Sequence, residues 1–111
     1  MTRPTVHGEI WWADIDKRRP VVVASRDDPR GARVRTTVAV ITRTRREIPT
    51  EVAVDERDGL PQASVVNCDE LVTIPKSDLE RRIGRLAGDR LEAFHRAMRF
   101  ALGIPQTDRR S

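Results

Sequence analysis

The 111-residue chain predicts a mainly β protein with α: a small, strongly curved antiparallel sheet or barrel capped by one C-terminal helix. Three observations carry this expectation. Short runs rich in Val, Ile, Thr and Trp recur along most of the chain, clusters of Gly, Pro and Asp separate them, and helical spacing of apolar residues occurs only near the end. Gly8-Glu9-Ile10-Trp11-Trp12-Ala13-Asp14-Ile15 reads as the first strand, Val21 to Ser25 as the second and Val34 to Thr42 as the third. Asp27-Asp28-Pro29-Arg30-Gly31 supplies the turn between the last two. Thr50 to Val54 alternates polar and apolar like a half-buried strand, and Asp58-Gly59-Leu60-Pro61 breaks it. Ser64 to Asn67 and Leu71 to Ile74 are two further short strands. Pro75 to Leu79 forms a turn, and Arg81 to Leu86 an edge strand. Leu91, Phe94, Met98, Ala101 and Leu102 then recur at three- and four-residue spacing behind Gly88-Asp89, until Gly103 and Pro105 stop the helix.

A chain of this length supports one core, so residues 1–105 are expected to form a single domain and 106–111, lacking an apolar anchor, a frayed tail. Hydrophobic residues make up 38% and charged residues 34%, a globular rather than a disordered balance. Lys and Arg outnumber Asp and Glu by 21 to 17, and every basic residue but Lys17 and Lys76 is arginine. The arginine fork suits phosphate oxygens and base edges, although such a bias also follows from genome composition, so position must decide. The single Cys68 excludes an internal disulfide framework. The start MTRPTVHGEIWW lacks the apolar stretch of a secretory signal, and no apolar run approaches the ~20 residues that span a bilayer. A cytoplasmic protein with no membrane partner is expected.

Metal chemistry has little to work with: His7 and Glu9 share one face of a strand, but no third ligand is placed by sequence. Cys68 has only distant histidines, His7 and His95, and reads as a buried structural thiol. His95 flanks the helix's apolar face. With no Gly-rich phosphate loop either, neither a cofactor nor a metal is expected. What remains is a polar set at strand ends: Arg18 and Arg19 before the second strand, Ser25 after it, and Thr42-Arg43-Thr44-Arg45-Arg46 closing the third. RNA phosphodiester cleavage needs such equipment, because the phosphate must be held in line and charge developing on its oxygens must meet preorganised donors. Arg43, Arg45 and Arg46 also fit a plain solvated loop.

These residues stand within an ordered series. It runs from Gly8-Glu9-Ile10-Trp11-Trp12-Ala13-Asp14 through Arg19-Pro20-Val21-Val22-Val23-Ala24-Ser25 to Val38-Ala39-Val40-Ile41-Thr42. Ile48-Pro49-Thr50-Glu51-Val52, Asp58-Gly59-Leu60-Pro61, Ser64-Val65-Val66-Asn67-Cys68-Asp69, Thr73-Ile74-Pro75-Lys76 and Ile83-Gly84-Arg85-Leu86 continue it. The series resembles the MazF/PemK toxin family over nearly the whole chain. The resemblance implies an SH3-like, strongly curved β-barrel with a terminal helix, forming a homodimer. It also implies a metal-independent, sequence-specific endoribonuclease that cuts single-stranded RNA, leaves 2′,3′-cyclic phosphate and 5′-hydroxyl ends, and is blocked by a MazE-like antitoxin through an extended acidic segment. Carried onto this chain, the catalytic pair is Arg19, as phosphate binder and proton donor or charge stabiliser, and Thr42, as the hydroxyl that positions the phosphate. Arg18, Ser25, Arg43, Arg45 and Arg46 are second-rank RNA contacts. One departure is a shortened connection: many relatives carry a longer Gly-Ser-Glu-Gln-like loop before the Arg-Pro pair, whereas this chain passes directly from Asp16 through Lys17 and Arg18.

Two other readings remain open. A CcdB-like gyrase inhibitor on the same fold acts through a tryptophan-containing C-terminal end, but here both tryptophans, Trp11 and Trp12, lie near the N-terminus. A catalytically silent RNA- or antitoxin-binding member is disfavoured by the intact Arg19 and Thr42.

Overall fold

β-Branched runs need both faces of a strand covered, and the chain provides two covers for one sheet. The computed structural model describes residues 2–105. Its strands are β1 (Glu9–Asp14), β2 (Arg18–Val23), β3 (Arg35–Thr42), β4 (Glu51–Val54), β5 (Ser64–Pro75) and β6 (Leu79–Arg85), followed by helix α1 (Gly88–Leu102). They form one antiparallel sheet in the order β4-β5-β3-β2-β1-β6. Alternate residues of the central strands enter separate cores. Ile10, Val22, Ala39 and Val66 pack with Phe94 and Ala97 of α1, whereas Trp11, Val21, Val23 and Val38 pack with Ile74 and Leu79 on the other face. Phe94 is completely buried.

The two short strands expected at Ser64–Asn67 and Leu71–Ile74 are one bent strand, β5. Its pairing with β3 jumps from Ala39↔Leu71 to Val40↔Asn67, so a bulge accommodates the polar residues between the two runs. Asn67 supports it, its side-chain oxygen accepting from the Asp69 N–H at 3.0 Å. β2 begins earlier than expected, taking in Arg18 and Arg19, and ends before Ser25. The helix starts at Gly88 and stops at Gly103 as the punctuation predicts, with Gly103 at φ 70° and the Ile104 N–H donating to Arg99 O at 2.9 Å. Leu102, expected on its buried face, is exposed, and Ala97 is buried instead. The tail expected at 106–111 lies outside the described residues.

At the far end of β2 the N-terminal arm is tied down. Thr5 bridges to Asp28, and the buried Lys76 ammonium donates to Asp28 Oδ2 at 2.5 Å and to Arg3 O at 2.9 Å. The Asp28 carboxylate also accepts from the Ala32 and Arg33 N–H groups. On the opposite flank Gly59 and Gly84 let two backbones touch: a Cβ on Gly84 would overlap Asp58 O, and one on Gly59 would overlap Ile83 O. Gly59 also sits at φ 101°, where an L side chain is strained. Asp55 and Asp58 form a reciprocal cap around the short turn Glu56–Asp58, and Arg90 of α1 reaches Asp55 Oδ2 at 3.0 Å. The segment leading into β5 is therefore held against β6 and the start of α1.

Candidate active site

The β2–β3 ladder runs Val23↔Val38, Val22↔Ala39 and Val21↔Val40, then stops. Pro20 follows, with no N–H to extend it. Counted on from the last pair, Pro20 would fall opposite Ile41 and Arg19 opposite Thr42, but the ladder itself does not extend that far. At this open end a cleft of about 520 Å³ is lined by Arg18, Arg19, Thr42 and Arg43. Leu60, Pro61 and Gln62 of the connection into β5, Ser64 at the start of β5 and Trp12 form a second wall of the lining.

Thr42 Oγ1 accepts from the Thr44 N–H at 3.3 Å, which leaves its own O–H free to donate. Arg19 is held by Asp16: Nε donates to Oδ1 at 2.9 Å and NH2 to Oδ2 at 3.2 Å. The Arg19 guanidinium holds the Asp16 carboxyl down at about 2, and Asp16 in turn raises the arginine's pKa. Arg18 turns differently, its guanidinium 4.4 Å from the Trp12 ring centroid and its Nε 2.7 Å from Glu80 Oε1. Of the three consecutive cations, only Lys17 has no ion pair among the described residues.

The remaining sequence-selected residues lie elsewhere. Ser25 sits beyond the other end of β2, where its hydroxyl accepts from the Thr37 N–H at 2.8 Å, so it does not line the cleft. Arg45 is exposed on the loop after β3 and does not line the cleft either. Arg46 is captured by Glu51, with its N–H 2.9 Å from Oε1 and its Nε 3.3 Å from Oε2. Glu9 is engaged by the Trp11 indole N–H at 3.1 Å and the Val6 N–H at 2.9 Å, a structural use that separates it from His7. His7 Nε2 instead meets His95 Nε2 at 2.9 Å, pinning α1 to the N-terminal segment. Cys68 is buried, and burial pushes its thiol up to about 12, unsuited to a nucleophile.

Sequence reasoning missed Trp12, Asp16, Glu80 and the Leu60–Ser64 wall as parts of the site. For the wall a signal existed: Asp55 and Asp58 at cap spacing before Gly59 mark a tightly organised connection.

A six-stranded antiparallel sheet with one C-terminal helix, and a cleft that both Arg19 and Thr42 line, defines a small, basic, mainly β protein. The chain belongs to the PemK-like, MazF-like toxins of type II toxin-antitoxin systems, whose family model matches residues 7–102. It is 45% identical over 92 residues to the endoribonuclease MazF3 of Mycobacterium tuberculosis, covering 83% of this chain and 89% of that one. Its structure is similar to the Mycobacterium tuberculosis toxin MazF-mt6, with TM-score 0.83 and 42% identity over 88% of this chain and 99% of that one. It also resembles a mycobacterial endoribonuclease in complex with its cognate antitoxin, with TM-score 0.82 and 26% identity over 93% of this chain and 99% of that one. Family and curled fold both agree with what the ordered motifs implied.

Proposed function

We propose that this toxin is an endoribonuclease that cuts single-stranded RNA in the cleft at the open end of the sheet. The observation that carries the reading is that Arg19 and Thr42 line one cleft just past the point where the β2–β3 ladder ends. Endoribonuclease relatives support the activity. In the reaction the ribose 2′-hydroxyl loses its proton and its oxygen attacks the adjacent phosphorus. The bond to the 5′ oxygen breaks and that oxygen is protonated, giving a 2′,3′-cyclic phosphate and a 5′-hydroxyl. Arg19 binds the phosphate and offsets the charge that grows on its oxygens, and the Thr42 O–H donates to a second oxygen. Arg18 and Arg43 contact flanking phosphates; Arg45 and Arg46 stand further out on the same loop.

The same reading includes a homodimer and a MazE-like antitoxin whose acidic segment competes for the cleft. Phe100, Leu102 and Ile104, exposed at the end of α1, offer apolar surface for association.

The test is a long RNA incubated with purified protein in EDTA, with fragment 5′ ends mapped. Discrete cuts are expected, and Arg19→Ala or Thr42→Ala lowers kcat by about 100-fold or more, as when one preorganised donor is removed. Intact RNA alongside inhibited gyrase would return the assignment to a CcdB-like inhibitor.

A further inference from the structure

A guanidinium can be gripped along its side, through Nε and one terminal nitrogen, or across its end, through both terminal nitrogens. Asp16 takes the side of Arg19: Nε to Oδ1 at 2.9 Å and NH2 to Oδ2 at 3.2 Å. Both NH1 hydrogens and the second NH2 hydrogen remain uncommitted to it, so the end of the fork can still grip an anion. The carboxylate therefore fixes the fork's rotation without filling its phosphate-binding edge.

The local chain explains why Asp16 can do this. It lies in the short connection between β1 and β2, closed by the Ile15 N–H donating to Lys17 O at 3.2 Å, and two residues, Lys17 and Arg18, separate it from Arg19. Arg19 is itself half buried, in a strand paired to β1 at Ala13. Arg19 is thus mounted on a paired strand and Asp16 on a short connection closed by a backbone hydrogen bond. Arg18 one residue earlier is drawn instead to Glu80 and Trp12.

We propose that Asp16 is a positioning residue for RNA cleavage, holding the side of the Arg19 guanidinium so that its end faces the scissile phosphate before RNA arrives. The proposal rests on the endoribonuclease reading. It carries an opposing effect, because the carboxylate is an anion beside a phosphate and weakens ground-state RNA binding. Asp16 is an ionised carboxylate at neutral pH, and the Arg19 contact lowers its pKa further, to about 2, so both effects are present at working pH. A device of this kind raises kcat while raising Kd, a split that no simple scaffold residue produces.

The experiment compares wild type and Asp16→Asn using a cleavable RNA for kcat and the same RNA with a 2′-deoxy substitution at the cut site for Kd. Expected is a kcat about tenfold or more lower, as for a displaced catalytic group, with Kd unchanged or a few-fold tighter and an unaltered melting temperature. An unchanged kcat overturns the proposal and leaves Asp16 a competing anion; joint loss of binding and melting temperature assigns it a scaffold role. If the variant fails to fold, exchange of the Arg19 Nε–H in the wild type decides. Slow exchange that persists with the 2′-deoxy RNA bound supports positioning, and exchange that accelerates on binding shows that phosphate displaces Asp16. Should wild type leave RNA intact, the cleavage reading fails, while the Nε–H exchange still reports whether Asp16 grips Arg19.

Discussion

β2 ends in two aspartate–cation pairs that look alike on paper and differ in what surrounds them. Beyond its C-terminal end, Lys76 and Asp28 are buried, with side chains 2% and 10% exposed; at its start, Arg19 and Asp16 are 26% and 68% exposed. In both, the cation holds its carboxylate down at about 2. The buried pair gathers three chain segments, because Lys76 also reaches Arg3 O and Asp28 also accepts from Ala32 and Arg33. The exposed pair gathers nothing beyond itself and borders the cleft. Burial converts the one into a structural lock, while solvent leaves the other available for chemistry.

The largest test of that contrast is Lys76→Ala. It strands the Asp28 carboxylate in a dry site, and stability is expected to fall by about 3 kcal/mol, read as a lower urea midpoint. Cleavage per folded molecule should be unchanged. A midpoint matching wild type would abolish the distinction between the two ends. Acid comes next. A carboxyl whose folded pKa lies below its unfolded value adds stability that is complete above the unfolded value, 3.8 for Asp28, and disappears as pH falls towards about 2. Raising salt should screen the Asp16 pair and leave the Asp28 share of this acid loss, so a transition abolished by salt would reverse the assignment. Smallest is Asp16→Asn, whose melting temperature should coincide with wild type because an exposed pair contributes little; a clear drop would make both pairs structural.

Legibility in the sequence followed the same divide between local and long-range causes. Strand-favouring runs and polar–apolar alternation located the strand regions, though not their bounds, and Gly88 and Gly103 bounded the helix, because those signals act within a few residues. The Arg-Pro junction and the Ile41-Thr42 strand end were legible as candidates for the same reason. The continuity of β5 was hidden, since its polar bulge imitates a break and only pairing with β3 bridges it. Ser25 and Arg46 were misplaced because their partners, the Thr37 N–H and Glu51, are chosen by register and loop path rather than by neighbouring residues. The cleft's second wall required the contact between Gly59 and β6, across a separation in sequence that no local pattern reports.

That glycine contact also bears on how the cleft tolerates substitution. Where main chain rests directly on main chain, at Asp58–Gly59 against Ile83–Gly84, the spacing of the cleft is set by atoms every residue possesses. Gln62 and Ser64 then act as replaceable fittings in a fixed frame: exchanging them alters the chemistry offered to a bound chain without altering the gap it enters. A substitution at either position therefore changes the lining's polarity and reach while the backbone contact beneath it stays as it is.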